Sequence, residues 1–381
     1  MASLTRLTRL RWSRLALGTA LVLVVAATAG GCTSSPPATT SSSAGPPAPA
    51  LTTAQAREIF DAYIDANVKA ARTNDSALAL SVVTGVQHSI LAAMVNHPES
   101  FCSTPSSSGE GCFYGKPDFD QYAYGTPAIY LPEPAGYPRF FVAGVAQTVK
   151  GTAPADGTAT QVAGAAVPVD GDVLMVFEQA SATAPWQLAS TSRLASGMAL
   201  PRLATDGNGY VPQVPLTATT LFALPAVTGP LQAAVVDDGP ASAAAKAVAT
   251  GPLTTGMYQG VSEHGLTAPP GDLYQWYLEG APYPTFALRT ASGGALVLYT
   301  MYLNSTVSRL GAISKTSSAQ PGGPIEVPAN FLPLLPKTKS APRKSLETQQ
   351  LLSFAAIDPP AGAAKVTVIA IGGGPNYATA S

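Results

Sequence analysis

Charge, histidine and cysteine are all scarce in this chain, and each scarcity removes a class of function. Charged residues make up 11% of the 381 positions, with 21 Lys and Arg against 22 Asp and Glu. No basic stripe exists to replace phosphate counterions, so a nucleic-acid partner is excluded. The three histidines, His88, His97 and His264, are dispersed, and no HExxH helix, GxSxG elbow, P-loop or GxGxxG stretch occurs. No cofactor and no metal is expected. Asp206-Gly207-Asn208-Gly209 echoes a calcium loop, but without the downstream bidentate Glu it reads as a turn.

The N-terminus is more specific. Residues 1–31 carry Arg6, Arg9, Arg11 and Arg14 and no acid, the n-region of an exported chain. The apolar run LALGTALVLVVAA from Leu15 to Ala27 is long enough for a signal h-region and short of the ~20 residues of a transmembrane helix. It ends in Thr28-Ala29-Gly30-Gly31-Cys32, which resembles the lipobox of bacterial lipoproteins, with Ala29 where that pattern usually has Leu. The resemblance implies cleavage before Cys32 and a diacylglyceryl group on its sulfur. Residues 32–50 follow as a Ser/Thr/Pro tract that cannot bury a core and serves as a linker. Two acyl chains, each buried CH₂ contributing about 0.8 kcal/mol, hold such a protein stably on the outer face of the membrane. Without residues 1–31 the chain keeps 17 basic against 22 acidic residues, a net charge near −5.

Cys102 and Cys112 lie in FCSTPSSSGEGC, a Ser/Gly-rich loop. An exported location permits oxidation, and the pair reads as a disulfide. Zinc is the rival, with neither a CxxC spacing nor ligands beyond His88 and His97 to support it.

Past the linker the pattern predicts α+β. Thr52 to Gln55 offers a capping box for a helix to about Arg72, Asn74 or Asp75 caps a second, and residues 86–95 form a third. Strands follow at 124–130, 139–149, 173–179 and 187–193, the last two joined as a hairpin anchored by Trp186. A first α+β domain over 51–212, a connection over 213–236 and a second domain over 237–381 are expected. Within the second, Asp237-Asp238-Gly239-Pro240 caps an Ala-rich helix, strands fall at 272–278, 286–290, 295–303 and 365–371, and a Pro-rich insertion lies near 319–345. Residues 140–143 and 173–177 parallel 286–289 and 296–299 as a loose internal repeat.

The segments AREIFDAYIDAN, VLMVFEQ…WQLAS…LPRLATDGNGY, FALRTASGGALVLYTM and AAKVTVIAIGGG resemble actinobacterial cell-envelope lipoproteins of unknown function with a two-part extracellular region. The order of helices then strands in each half is also similar to the cystatin-like fold of the nuclear transport factor 2 type, in which a curved sheet wraps a helix. Neither resemblance implies an activity.

Candidate chemistry is sparse. Asp61 and Asp65 share a helix face at i, i+4, and His88 lies on the third helix, so Asp61 and His88 are the acid/base pair of an enzyme reading; a solvated face explains them as well. His97 caps a helix end, and His264 beside Glu263 falls in an expected loop. Asn304-Ser305-Thr306 is a glycosylation sequon. Tyr122, Tyr124, Tyr130 and Tyr137 in the first half and Tyr274, Trp276, Tyr277 and Tyr283 in the second punctuate strand-like segments. Alternation puts Tyr274 and Trp276 on one face, either a ligand groove or a core edge. The function expected is a non-enzymatic binding or assembly module of the envelope, with a protein, glycan or lipid as partner.

Overall fold

Thr52 is extended and starts the first helix: its hydroxyl accepts from the Gln55 N–H at 3.2 Å, and the Gln55 side chain accepts from the Thr52 N–H at 2.9 Å. This reciprocal cap satisfies two orphan donors of α1 (Thr53–Thr73). Asn74, left-handed at φ 54°, ends it, and Asp75 caps α2 (Ser76–Ser81) by accepting from the Leu78 N–H. α3 is Gly85–Val95. These features come from a computed structural model that describes residues 51–96, 122–133, 136–149, 158–162, 165–267, 272–309 and 323–381. Residues 1–50, with Cys32, and also His97, Cys102 and Cys112, lie outside the described residues.

The described strands are β1 (Tyr122–Tyr124), β2 (Ala128–Tyr130), β3 (Arg139–Val145), β4 (Gln147–Val149), β5 (Thr158–Val162), β6 (Ala165–Gln179), β7 (Gln187–Ala195), β8 (Asp272–Gly280), β9 (Phe286–Arg289), β10 (Ala295–Arg309), β11 (Ser345–Asp358) and β12 (Thr367–Ala380). Between β7 and β8 come α4 (Thr228–Asp238) and α5 (Thr255–Thr267). The class is α+β. β1 pairs with β4, and the other ten strands make one antiparallel sheet with the path β2-β3-β6-β7-β12-β11-β10-β8, β5 beside β6 and β9 beside β10. Four strands of the first half and four of the second thus flank the junction of β7 with β12, where Ala370 faces Leu194 and Ile371 faces Arg193. Residues Pro47–Ser381 form one compact unit.

Strand alternation sorts the core into layers. In the first half, Phe141, Met175 and Phe177 pack under α1, with Phe141 stacked on Phe177 at 4.8 Å, Phe60 edge-on to Phe177 at 6.3 Å and Trp186 5.2 Å from Phe141. In the second, Val297, Tyr299, Met301, Leu352 and Phe354 pack against Val235, Val236 and Met257 of α4 and α5. The opposite faces of the two half-sheets meet: Phe140, Val142, Leu174 and Val176 share a cluster with Leu288, Leu296, Leu298 and Ala355, and Phe140 stacks on Phe286 at 4.1 Å. Helices, sheet, sheet, helices is the resulting order. Described parts of the Pro-rich segment, through Ile325 and Leu335, cover Leu346 and Ala380 at the far ends of β11 and β12.

Gly372, Gly373 and Gly374 let β12 pass its neighbours closely. A Cβ at Gly372 would collide with the Thr191 carbonyl oxygen and one at Gly373, whose φ is +133°, with that of Leu351; at Gly374 it would lie 3.1 Å from Ile90 of α3.

Several expectations for the second half need correction. Asp237 and Asp238 end a helix, α4, most of which lies in the expected connection 213–236, while the Ala-rich stretch forms only the 3₁₀ turn Ala243–Lys246. The segment around His264 is helical, not a loop, because it belongs to α5. The longest unexpected element is β11. No described helix is long and apolar enough to cross a membrane.

Candidate functional site

β8 is the edge strand beyond β10, and its side chains alternate between a face packed on the helices and a face open to solvent. Tyr274 and Trp276 do share a face, as alternation requires, and that face points into the molecule. Burial pushes the Tyr274 phenol up to about 12 against the opposing hydrogen bond from Ser305, and Trp276 packs on the cluster beneath α4. The exposed ring of this strand is Tyr277, 51% accessible.

Register places Tyr277 opposite Asn304 of β10, Asn304 opposite Gln349 of β11, and Gln349 opposite Tyr377 of β12. Tyr377 is also 51% accessible. Two exposed tyrosines therefore close the ends of one cross-strand row whose middle is a pair of amides. A bulge after Gln349 gives β12 one extra residue, Asn376, whose side chain joins the same row.

The amides are chained head to tail. Asn304 Nδ2 donates to Glu279 Oε1 at 2.9 Å, Gln349 Nε2 donates to Asn304 Oδ1 at 2.7 Å, and Asn376 Nδ2 donates to Gln349 Oε1 at 3.0 Å. The Glu279 carboxylate only accepts, so it fixes the orientation of every amide behind it. At the far end Asn376 Oδ1 is buried and has no partner among the described residues. An acceptor left so costs about 1–3 kcal/mol of stability. Asn304 of the sequon uses both polar atoms of its side chain in this chain of bonds.

Asn376 and Tyr377 also line an open cavity of about 430 Å³ along the edge of β12, bounded by Ala93 of α3, by its C-cap Asn96 and by Leu334, Leu335 and Lys339 of the Pro-rich segment. That is the lower range of small-molecule sites. Among the described residues Lys339 is the one charged group that lines it. A second cavity, about 150 Å³, lies between Trp186, Arg139 and Leu51.

The structure does not gather the acid/base candidates. Asp61 and Asp65 lie exposed on α1 and His88 exposed on α3, where its neighbours Gln87 and Ser89 are the ones that face inward, to Thr191 at 2.9 Å and to the Tyr283 hydroxyl at 2.7 Å. Asp206 makes the expected turn, accepting from the N–H groups of Asn208 and Tyr210 at 2.8 Å each. Among the described residues no group of three His, Cys, Asp or Glu could hold a metal ion. Among the described residues three carboxyls are raised, all mainly by burial: Glu178; Asp237, pushed up to about 6, which accepts from the Leu278 N–H at 2.9 Å; and Asp358, also pushed up to about 6. The Asp237 and Asp358 carboxylates each accept from a backbone N–H of another segment.

The signal for Tyr277 was present in the alternation of DLYQWYLEG, which sets Tyr277 and Glu279 apart from Tyr274 and Trp276. Asn304, Gln349 and Asn376 had no local signal, because the row exists only in the register.

An uncharacterised lipoprotein of Streptomyces coelicolor is 26% identical to this chain over 260 residues, 66% of this chain and 67% of the relative. No solved structure matches. A family model described as a domain of unknown function, DUF8094, matches residues 47–374, and by that span the chain belongs to this family.

Proposed function

We propose that this protein is an envelope lipoprotein, anchored to the outer face of the cell membrane through Cys32, whose folded region is a non-enzymatic binding module. The carrying observation is the open row from Tyr277 to Tyr377 with its adjoining cavity, which offers fixed hydrogen-bonding groups and aromatic surface but no convergent acid and base. The lipobox-like end of the signal and the lipoprotein named above support the anchor.

The folded region is best read as two related helix-and-sheet units of the cystatin-like kind. The mirrored strand path favours this, and it aligns β3 with β10 and the β6–β7 hairpin with β11–β12, one strand on from the repeat visible in the sequence. The loop between Cys102 and Cys112 is closed by a disulfide in this reading.

Two measurements test the proposal. Membrane-extracted wild type should have the mass of the chain from Cys32 plus acyl groups and minus the two hydrogens of one disulfide, and Cys32→Ser should lose the acyl mass and membrane retention together. Unlipidated wild type released to the medium would overturn the anchor. The mature Cys32→Ser chain should also co-sediment with isolated host envelope; a chain that stays in the supernatant would overturn the binding module.

A further inference from the structure

We infer that the row from Tyr277 to Tyr377 binds a neutral polysaccharide of the cell wall, an assignment that rests on the binding-module reading above. Its chemistry is that of a sugar chain. Pyranose rings present C–H faces that pack on exposed aromatic rings and hydroxyls that both donate and accept. Tyr277 and Tyr377 supply two such rings on one sheet face, three strand spacings or about 14 Å apart along the sheet, room for a short oligosaccharide to bridge them. Between them Asn304 and Gln349 are partly exposed amides held in one orientation, so they need no reordering on binding. The partly exposed amides of Asn304 and Gln349 each keep one N–H and one lone pair beyond the chain of bonds, which suits a ligand that both donates and accepts. A hydroxyl does so without bringing charge.

Charge selects among the other occupants. Among the described residues the row and the cavity beside it hold two acids, Glu279, already engaged by Asn304, and Glu347, exposed on the same face two residues before Gln349, and one base, Lys339, so a strongly charged ligand finds no counter-cluster. From Cys32 onward the chain carries a net charge near −5, which disfavours an anionic lipid surface. Cys32 and Leu51 are separated by 18 residues, a tether that spans at most about 60 Å, enough for the folded region to reach wall material beyond the headgroups.

The test uses the mature Cys32→Ser chain, native gels containing soluble galactan, mannan or dextran, and co-sedimentation with isolated host walls before and after periodate, which cleaves vicinal diols of sugars. Retardation by at least one neutral polysaccharide is expected, with a several-fold loss of wall binding after periodate. Tyr277→Ala and Tyr377→Ala should each weaken binding about ten-fold, equivalent to about 1.4 kcal/mol. Tyr137→Ala, which removes an exposed ring of the first half, should leave binding unchanged, and near-UV circular dichroism monitors folding of all three variants. Wall binding that survives periodate, with no retardation in any gel, overturns the glycan assignment and leaves the binding module standing. Loss of all envelope binding overturns both. Glycan binding indifferent to Tyr277 and Tyr377 overturns the placement on this row.

Discussion

Replacing Asp358 by Asn should shift stability in favour of the variant as pH rises from acid to neutral. Asp358 closes β11 with no exposed surface; its Oδ1 accepts from the Ala223 N–H at 3.2 Å and its Oδ2 has no partner among the described residues. Burial raises the carboxyl from 3.8 to about 6, with the amides of Ala223 and Phe222 pulling against it. The folded state therefore holds the proton more tightly than the unfolded chain does. Stability from this group is fully present below about pH 4, falls as pH rises toward 6, and is gone above it. Two pKa units at about 1.4 kcal/mol each put the loss at about 2–3 kcal/mol. Asparagine keeps the acceptor for Ala223 and never ionises. Its amide nitrogen enters the unpartnered Oδ2 position at a cost that does not change with pH, so the readable quantity is a difference of differences. Urea unfolding followed by tryptophan fluorescence, at about pH 4 and about pH 7.5, should give a variant-minus-wild-type stability about 2 kcal/mol more favourable at the higher pH. Asp237 and Glu178, raised the same way, are present in both proteins, so their slopes cancel in that difference. A stability difference that stays flat across this range would refute the reasoning.

Two further perturbations probe the fold. Gly373→Ala forces a side chain onto a φ of +133° and against the Leu351 carbonyl, and should cost about 3 kcal/mol or more in chemical unfolding, whereas Gly362→Ala, at φ +81° with open space around it, should cost about 1 kcal/mol. Tyr299→Phe should cost about 1–3 kcal/mol by the same assay: the Tyr299 hydroxyl donates to buried Gln232 Oε1 at 2.8 Å, and Gln232 in turn donates to the Leu253 carbonyl at 2.8 Å, so the variant strands an acceptor inside.

The first half was legible because its signals are local. Thr52 and Gln55 cap within one turn, Asp75 caps within three residues, and the β6–β7 hairpin closes over a short loop with Trp186 beside it. The second half hides its helices. α4 begins TGPLQ and buries Thr228, Gly229 and Gln232 together with Val235 and Val236, so it shows little polar face to read; a Cβ on Gly229 would lie 2.8 Å from Met301 Sδ. α5 contains Gly256, Gly260 and Gly265, whose propensity argues against a helix that tertiary packing nevertheless imposes. β11 gives no alternation because LLSFAA is buried on both faces between the helix layer and the partner half-sheet.

The binding row belongs to a different kind of information, strand length. On the side of β10 that faces the first half, the residues run Leu296, Leu298, Thr300, Tyr302, Asn304, Thr306, and the cluster shared between the half-sheets takes in Leu296 and Leu298 and no later residue of β10. β10, β11 and β12 are 15, 14 and 14 residues long, against 7 and 9 for β3 and β7, while β6, also 15, spends its first five residues pairing with β5. The longer strands continue past the face-to-face contact, and the shift from leucine to threonine, tyrosine and asparagine marks where the partner sheet stops. Shortening these strands to the contact would remove Asn304, Gln349 and Tyr377 and leave all of the cluster shared with the first half in place. That packing does not require their extra length, and the cover of Ile325 and Leu335 over Leu346 and Ala380 uses only the inner face of this end, which is the physical ground for assigning its outer face, with the row, to function.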